Sequence, residues 1–207
     1  MSSASGVEFL EYFAFVFCSD KLVGVDADLQ SILTQLDVSP FSKIHALKEF
    51  GNSLFREKQF SLAGDFYDQA CRQLGVALKD NFGFDINSII SLAVSLCLNL
   101  AACSNKIQAF DGSLIFCNVI LTFFPKNAKA LFRKVVALRH LNRLLEARVT
   151  LKEAQVVEPH NKDIIRELEA VVQALEINHN GKRVIVDTFE GTEVQVGKKC
   201  VSSFQAP

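Results

Sequence analysis

"NAKALFRKVVALRHLNRLLEARVTLKEAQVVEP", residues 127–159, decides how this chain folds. Laid against "SLCLNLAACSNKIQAFDGSLIFCNVILTFFP", residues 95–125, it places Pro159 over Pro125, 34 residues apart. Leu131 then falls on Cys97, Leu138 on Ser104, Ala147 on Ser113 and Ala154 on Ile120. A unit of this length built from two helices cannot bury its apolar face alone, so it must stack on its neighbours.

A third copy lies upstream in "ALKEFGNSLFREKQFSLAGDFYDQA", residues 46–70, where Leu47, Gly51, Leu54, Ala63, Tyr67 and Ala70 keep the order apolar, Gly, apolar, Ala, aromatic, Ala. Glycine inside a helix costs roughly 1 kcal/mol relative to alanine. Gly51, Ala63 and Ala70 therefore mark positions where two helices approach closely, and packing offsets the cost at Gly51. Gly51 aligns with Ala101, a separation of 50, so 16 extra residues lie around "GVALKDNFGFDINSII". They are expected to lengthen two helices that meet at a turn near Asn81–Asp85, broken by Gly83. The 34-residue period is the tetratricopeptide signature. The expected fold is all-α, with three helix-turn-helix repeats at about 44–80, 94–127 and 128–161 in a right-handed superhelix. Ile164, Leu168, Val171, Val172 and Leu175 are spaced for a further helix that caps the array, ended by Asn180-Gly181. The repeat domain thus spans 44–178.

The flanks are read more loosely. Residues 1–43 form an N-terminal extension with apolar helices expected at 7–18 and 27–36. Phe13, Phe15 and Phe17 alternate there and cannot all face inward on one helix; packing against the first repeat is the expected outcome. Residues 179–207, with "KRVIVDTFEGTEVQV", are expected to be a mobile tail or a lone β-ribbon. Ser42 is expected to cap the helix that follows it.

Composition excludes several function classes. The net charge is −1, so the molecule as a whole is no electrostatic binder of nucleic acid or anionic membrane. The central module, 44–178, is mildly basic at +2, while residues 1–43 stand at −4. Six cysteines form no CxxC pair and no zinc spacing, and are expected to be reduced small hydrophobes in a reducing, cytoplasmic compartment. Residues 86–105 carry no charge, but Asn87, Asn99, Asn105 and four serines favour a buried helix over a membrane span. The four histidines are scattered, and no nucleophile, phosphate-loop or metal pattern is present, so no enzyme, cofactor or metal is expected.

The first helix of each repeat lines the concave face of such a superhelix. The polar residues expected there are Lys48 and Asn52, then Asn99, then Lys129 and Arg133. Lys48/Asn52 and Lys129/Arg133 are each four apart, one turn along one helix face. Cations and neutral amides converging with no nearby acid make an anion receptor. A peptide's C-terminus supplies a carboxylate found nowhere else in the chain, so capturing it gives end-specific recognition.

The repeats resemble the tetratricopeptide domains of Hsp-binding co-chaperones, the large immunophilins and the Hop/Sti adaptor among them. That resemblance covers roughly residues 44–178 and rests on "KEFGN" (Lys48, Asn52), on Asn99 in "NLAAC" and on "KALFR" (Lys129, Arg133). It implies a "dicarboxylate clamp" for an acidic tail ending Glu-Glu-Val-Asp, from a chaperone of the seventy- or ninety-kilodalton class. By that likeness Lys48, Asn52 and Asn99 hold the terminal carboxylate, while Lys129 and Arg133 grip the last side chain and nearby backbone. Phe55 lines the valine pocket, and Lys106 and Arg139 add contacts. Ser113 and Cys117 depart from the family's usual Ala and aromatic residue. Immunophilins also carry isomerase domains of about a hundred residues, typical domain size. Flanks of 43 and 29 residues leave no room for one, so isomerase activity is not carried over. The rival readings are a repeat scaffold that binds an internal helix or another protein, and a truncated immunophilin-like chain without catalysis.

Overall fold

The computed structural model describes residues 3–17, 39–79 and 85–178. Eight helices lie among the described residues, numbered here α1 Ser3–Phe17, α2 Pro40–Arg56, α3 Phe60–Lys79, α4 Ile86–Lys106, α5 Phe110–Phe123, α6 Ala128–His140, α7 Leu144–Val157 and α8 Lys162–Asn178. Each of α2 to α8 packs on the next along the chain, and α4 also touches α6. The pairs α2/α3, α4/α5 and α6/α7 are the three repeats, and α8 follows as the cap, burying Ile164, Val171 and Leu175.

Local chemistry sets the helix ends. Ser39 caps α2 by accepting from the Ser42 amide at 3.3 Å, with Pro40 in the first turn. Ser42, the expected cap, is thus inside the helix, one turn after the observed cap, because Pro40 starts the helix sooner. Asp85 caps α4, accepting from the Ser88 amide at 3.1 Å and the Ser88 hydroxyl at 2.6 Å. Asn127 caps α6 through the Ala130 amide at 3.0 Å.

The turns inside the repeats carry the register independently of the side chains. Lys58, Gln108 and Asn142 have φ of 64°, 63° and 57°. Each is the left-handed residue just past a helix end, and the amide after it returns to a carbonyl five residues back. Those bonds are Gln59 to Leu54 at 2.9 Å, Ala109 to Ser104 at 2.8 Å and Arg143 to Leu138 at 2.8 Å. The three positions are spaced by 50 and 34, the offsets of the apolar alignment. α3 and α4, at 20 and 21 residues, are the longest helices described.

Gly51 packs where the spacing argument places it. A Cβ there would stand 2.7 Å from Cε1 and 2.9 Å from Cδ1 of Tyr67. The bare backbone lets the Tyr67 ring lie flat on α2, with Ala63 and Ala70 fully buried along the same seam. α4 is long and apolar enough to cross a membrane by composition. Here it is a central helix, with Leu92, Ala93, Leu96, Cys97, Leu100 and Ala101 buried among its neighbours.

α1 covers more than the first repeat. It packs on α3, α4 and α5, and the Phe9 ring meets Phe123 and Phe124 at 5.6 and 5.1 Å. Phe13 and Phe17 are buried, whereas Phe15 is 80% exposed. A helix repeats every 3.6 residues, so positions 13 and 17 share a face that 15 does not. The expected helix at 27–36, the turn residues 80–84 and the segment 179–207 lie outside the described residues.

Cys71, Cys97, Cys103 and Cys117 are free and buried. Burial pushes the thiols of Cys103 and Cys117 up to about 11, which keeps them protonated and unreactive.

Candidate functional site

The first helices α2, α4 and α6 stand side by side and bring Asn52, Asn99 and Arg133 to one cavity of about 360 Å³. Phe55, Tyr67, Ala102, Arg56 and Glu49 complete its lining. Lys129 lies one turn before Arg133 and lines two adjoining cavities that also include Arg133. Lys48 is half-buried one turn before Asn52 and lines none of these three.

The amides are held in place. The Tyr67 hydroxyl donates to Asn52 Oδ1 at 2.8 Å, and Asn99 Nδ2 donates to the same oxygen at 3.4 Å. Asn52 Nδ2 is turned toward Glu49 Oε1 at 3.2 Å. Gly51 and Asn52 therefore form one device: the glycine admits the tyrosine ring, and the ring's hydroxyl orients the asparagine. Burial pushes the Tyr67 phenol up to about 12, with Cys103 and Glu49 adding to the shift.

Arg133 is the charged element at the centre. Asn105 Nδ2 donates to its backbone carbonyl at 3.0 Å, fixing that turn of α6. Its guanidinium pairs with no carboxylate within 4.0 Å among the described residues, and Nη1 is buried without a hydrogen-bond partner. Burial lowers its pKa from the usual arginine value by penalising the charge. An unpaired, partly desolvated guanidinium is costly unless an anion joins it. The cavity wall thus gathers two guanidiniums, two neutral amides and one acid, a donor-rich surface that suits an anion.

Four placements differ from the reading of the sequence, the first being Lys48, which lines none of the three cavities. The groove is not free of acid: Glu49 lines the cavity and occupies one donor of Asn52. The signal was present, since the offsets of 50 and 34 put Glu49, Asn99 and Arg133 at the same position of three successive first helices. Arg139 lines none of the three cavities; it is paired with Glu167 of the cap helix. Lys106 lines none of the three cavities and stands 5.8 Å over the Phe60 ring, which in turn meets Phe55 edge-on at 5.1 Å. Phe55 does line the cavity. No cluster of His, Cys, Asp and Glu suited to a metal exists among the described residues.

No family model matches the chain. Among curated proteins, it is 35% identical over 160 residues to the peptidyl-prolyl cis-trans isomerase FKBP42 of Arabidopsis thaliana, covering 74% of this chain and 42% of that protein. The Hsp70/Hsp90 co-chaperone CNS1 of Saccharomyces cerevisiae is 31% identical over 155 residues, 74% of this chain and 37% of that one. The chain thus spans less than half the length of these relatives, and the part of FKBP42 it matches is the repeat region. Among solved structures, the C-terminal TPR-containing domain of a Plasmodium falciparum FK506-binding protein superimposes with a TM-score of 0.58 at 24% identity, covering 70% of this chain and 97% of that one. The first TPR of Spaghetti (RPAP3), bound to the HSP90 peptide Ser-Arg-Met-Glu-Glu-Val-Asp, does so at 0.53 and 24%, covering 65% and 94%.

Proposed function

We propose, starting from a chain that is a tetratricopeptide-repeat protein of the co-chaperone kind, that its groove captures the acidic C-terminal tail of a heat-shock chaperone. The chaperone is of the seventy- or ninety-kilodalton class. The single observation that carries this reading is the orphaned Arg133 guanidinium beside the Asn52–Asn99 amide pair. A terminal carboxylate at that spot would accept from both amides and neutralise the arginine, which is half-buried on the groove wall. Lys129 is one turn away and exposed, placed for the last side-chain carboxylate. Lys48 adds positive potential from the neighbouring turn of α2, and Phe55 offers an apolar wall for the residue before the end. The HSP90 peptide bound by the RPAP3 neighbour has this chemistry at its end. The reading assigns no catalysis and a cytoplasmic setting.

The test is titration calorimetry with a heptapeptide of sequence Ser-Arg-Met-Glu-Glu-Val-Asp and its C-terminal amide. Arg133→Ala and Lys129→Ala should each lose the free-acid peptide while circular dichroism stays helical. Amidation should do the same to the unmodified protein, and added salt should weaken binding. Affinity unchanged by the amide would favour the rival, a groove that holds a helix. An isomerase assay on a proline peptide should read background.

A further inference from the structure

Among the described residues, two side-chain hydrogen bonds tie the first helices of the repeats to one another. Asn99 in α4 donates to Asn52 in α2 at 3.4 Å, and Asn105 in α4 donates to the Arg133 carbonyl in α6 at 3.0 Å. The second bond ends on the residue that carries the half-buried cation of the groove. A carbonyl has two lone pairs, so this one can keep its helical bond and accept another from outside. The Asn105 amide thus grips the α6 backbone at the turn from which Arg133 projects, and it adds no charge in doing so.

The contact is written into the repeat. Arg139 and Glu167 pair across α6 and α8, and each lies 34 residues after its counterpart, Arg139 after Asn105 and Glu167 after Arg133. At the first junction the equivalent positions are Phe55 and Asn99, which line one cavity together. The last turn of each first helix therefore reaches the groove residue of the next. At 139 and 167 the two side chains meet, and each satisfies the other's charge. At 105 and 133 the asparagine holds backbone instead. Asn105 Oδ1 and Arg133 Nη1 are both buried without a hydrogen-bond partner among the described residues.

We propose that Asn105 is the positioning residue of the anion receptor: it fixes the rotation of α6 beneath Arg133 and leaves the guanidinium's charge for the ligand. The inference rests on the tail-capture reading above. Groups that bind a ligand together must be held within about 0.5 Å of their working geometry. No carboxylate of the described residues steadies the guanidinium, so its direction depends on the helix turn that carries it. An apolar residue at 105 would release that turn. An acid there would pair with Arg133, as Glu167 pairs with Arg139 at the next junction.

The experiment titrates the full chain with Ser-Arg-Met-Glu-Glu-Val-Asp and its C-terminal amide, and compares Asn105→Leu, Asn105→Asp and Leu175→Val. Leu175 is a buried residue of α8 that lines none of the three cavities, so its truncation controls for lost stability alone. Asn105→Leu should weaken the free-acid peptide about two- to tenfold, no more than one hydrogen bond is worth. Asn105→Asp should weaken it further, by at least about tenfold, because the introduced carboxylate competes for Arg133. Leu175→Val should unfold at a lower temperature yet bind as the unmodified protein does. Full affinity in Asn105→Leu, an equal loss in Leu175→Val, or Asn105→Asp binding no more weakly than Asn105→Leu each overturns the positioning role. If one of those results comes with an unmodified protein that still needs the free terminal carboxylate, the tail-capture reading stands without it. If the unmodified protein binds neither peptide, or ignores amidation, both fall together.

Discussion

Gly51→Ala probes the joint on which the site depends. In an ordinary helix interior this change stabilises by about 1 kcal/mol. Here the new methyl would stand 2.7, 2.9 and 3.0 Å from three carbons of the Tyr67 ring, well inside the ~3.5–4.0 Å of a comfortable carbon–carbon contact. Tyr67 is 2% exposed, so moving the ring disturbs the packed residues around it. Overpacking of this kind costs about 1–3 kcal/mol. A displaced ring also gives up the 2.8 Å bond to Asn52, worth about 1 kcal/mol, which roughly cancels the helix gain. The net expectation is a loss of about 1–3 kcal/mol. Urea unfolding followed by circular dichroism measures it, and peptide affinity should fall in parallel because Asn52 loses its anchor. Repeating the change in a Tyr67→Leu background should shrink the cost, since the overlap is then relieved. A Gly51→Ala protein as stable as the unmodified one, or more so, would refute the packing argument.

Two further predictions concern charge. Glu49→Gln removes the acid that faces the incoming carboxylate and holds one donor of Asn52; affinity for the free-acid peptide should rise about two- to five-fold at low salt, and unchanged or weaker binding in calorimetry would contradict that role. Tyr67 makes stability depend on alkaline pH. Its folded-state pKa, about 12, lies above the ordinary tyrosine value of 10.0, so its contribution is complete below pH 10 and is lost as pH climbs toward 12. Unfolding curves at pH 9 and pH 11.5 should diverge more for the unmodified protein than for Tyr67→Phe, which has no phenol to ionise, the buried thiols contributing equally to both.

Much of this architecture follows from periodicity alone. The offsets of 50 and 34 were legible in apolar residues, and the left-handed turn residues Lys58, Gln108 and Asn142 obey the same offsets without sharing a side-chain type. Asn52, Asn99 and Arg133 reach one cavity because a repeat places equivalent helix faces side by side. Periodicity also misleads where it is read too narrowly. Arg139 follows Arg133 on the same helix, yet it is paired with Glu167, because the approach of α8 decides which neighbour it meets. Glu49 shares the cavity because it lies three residues before Asn52 on one helix face, whereas Lys48 is rotated from it by about 100°.

The order of residues along the chain by itself determined the three helix pairs and the row of polar positions on the first helices, because these depend on spacing within one or two turns. The tertiary structure alone decided that Tyr67 orients Asn52, that Glu49 shares the cavity, that Arg133 Nη1 is buried without a hydrogen-bond partner among the described residues, and that α1 lies across two repeats with Phe15 exposed. Those outcomes depend on how closely separate helices approach and at what rotation, which is set by the packing of residues far apart in sequence.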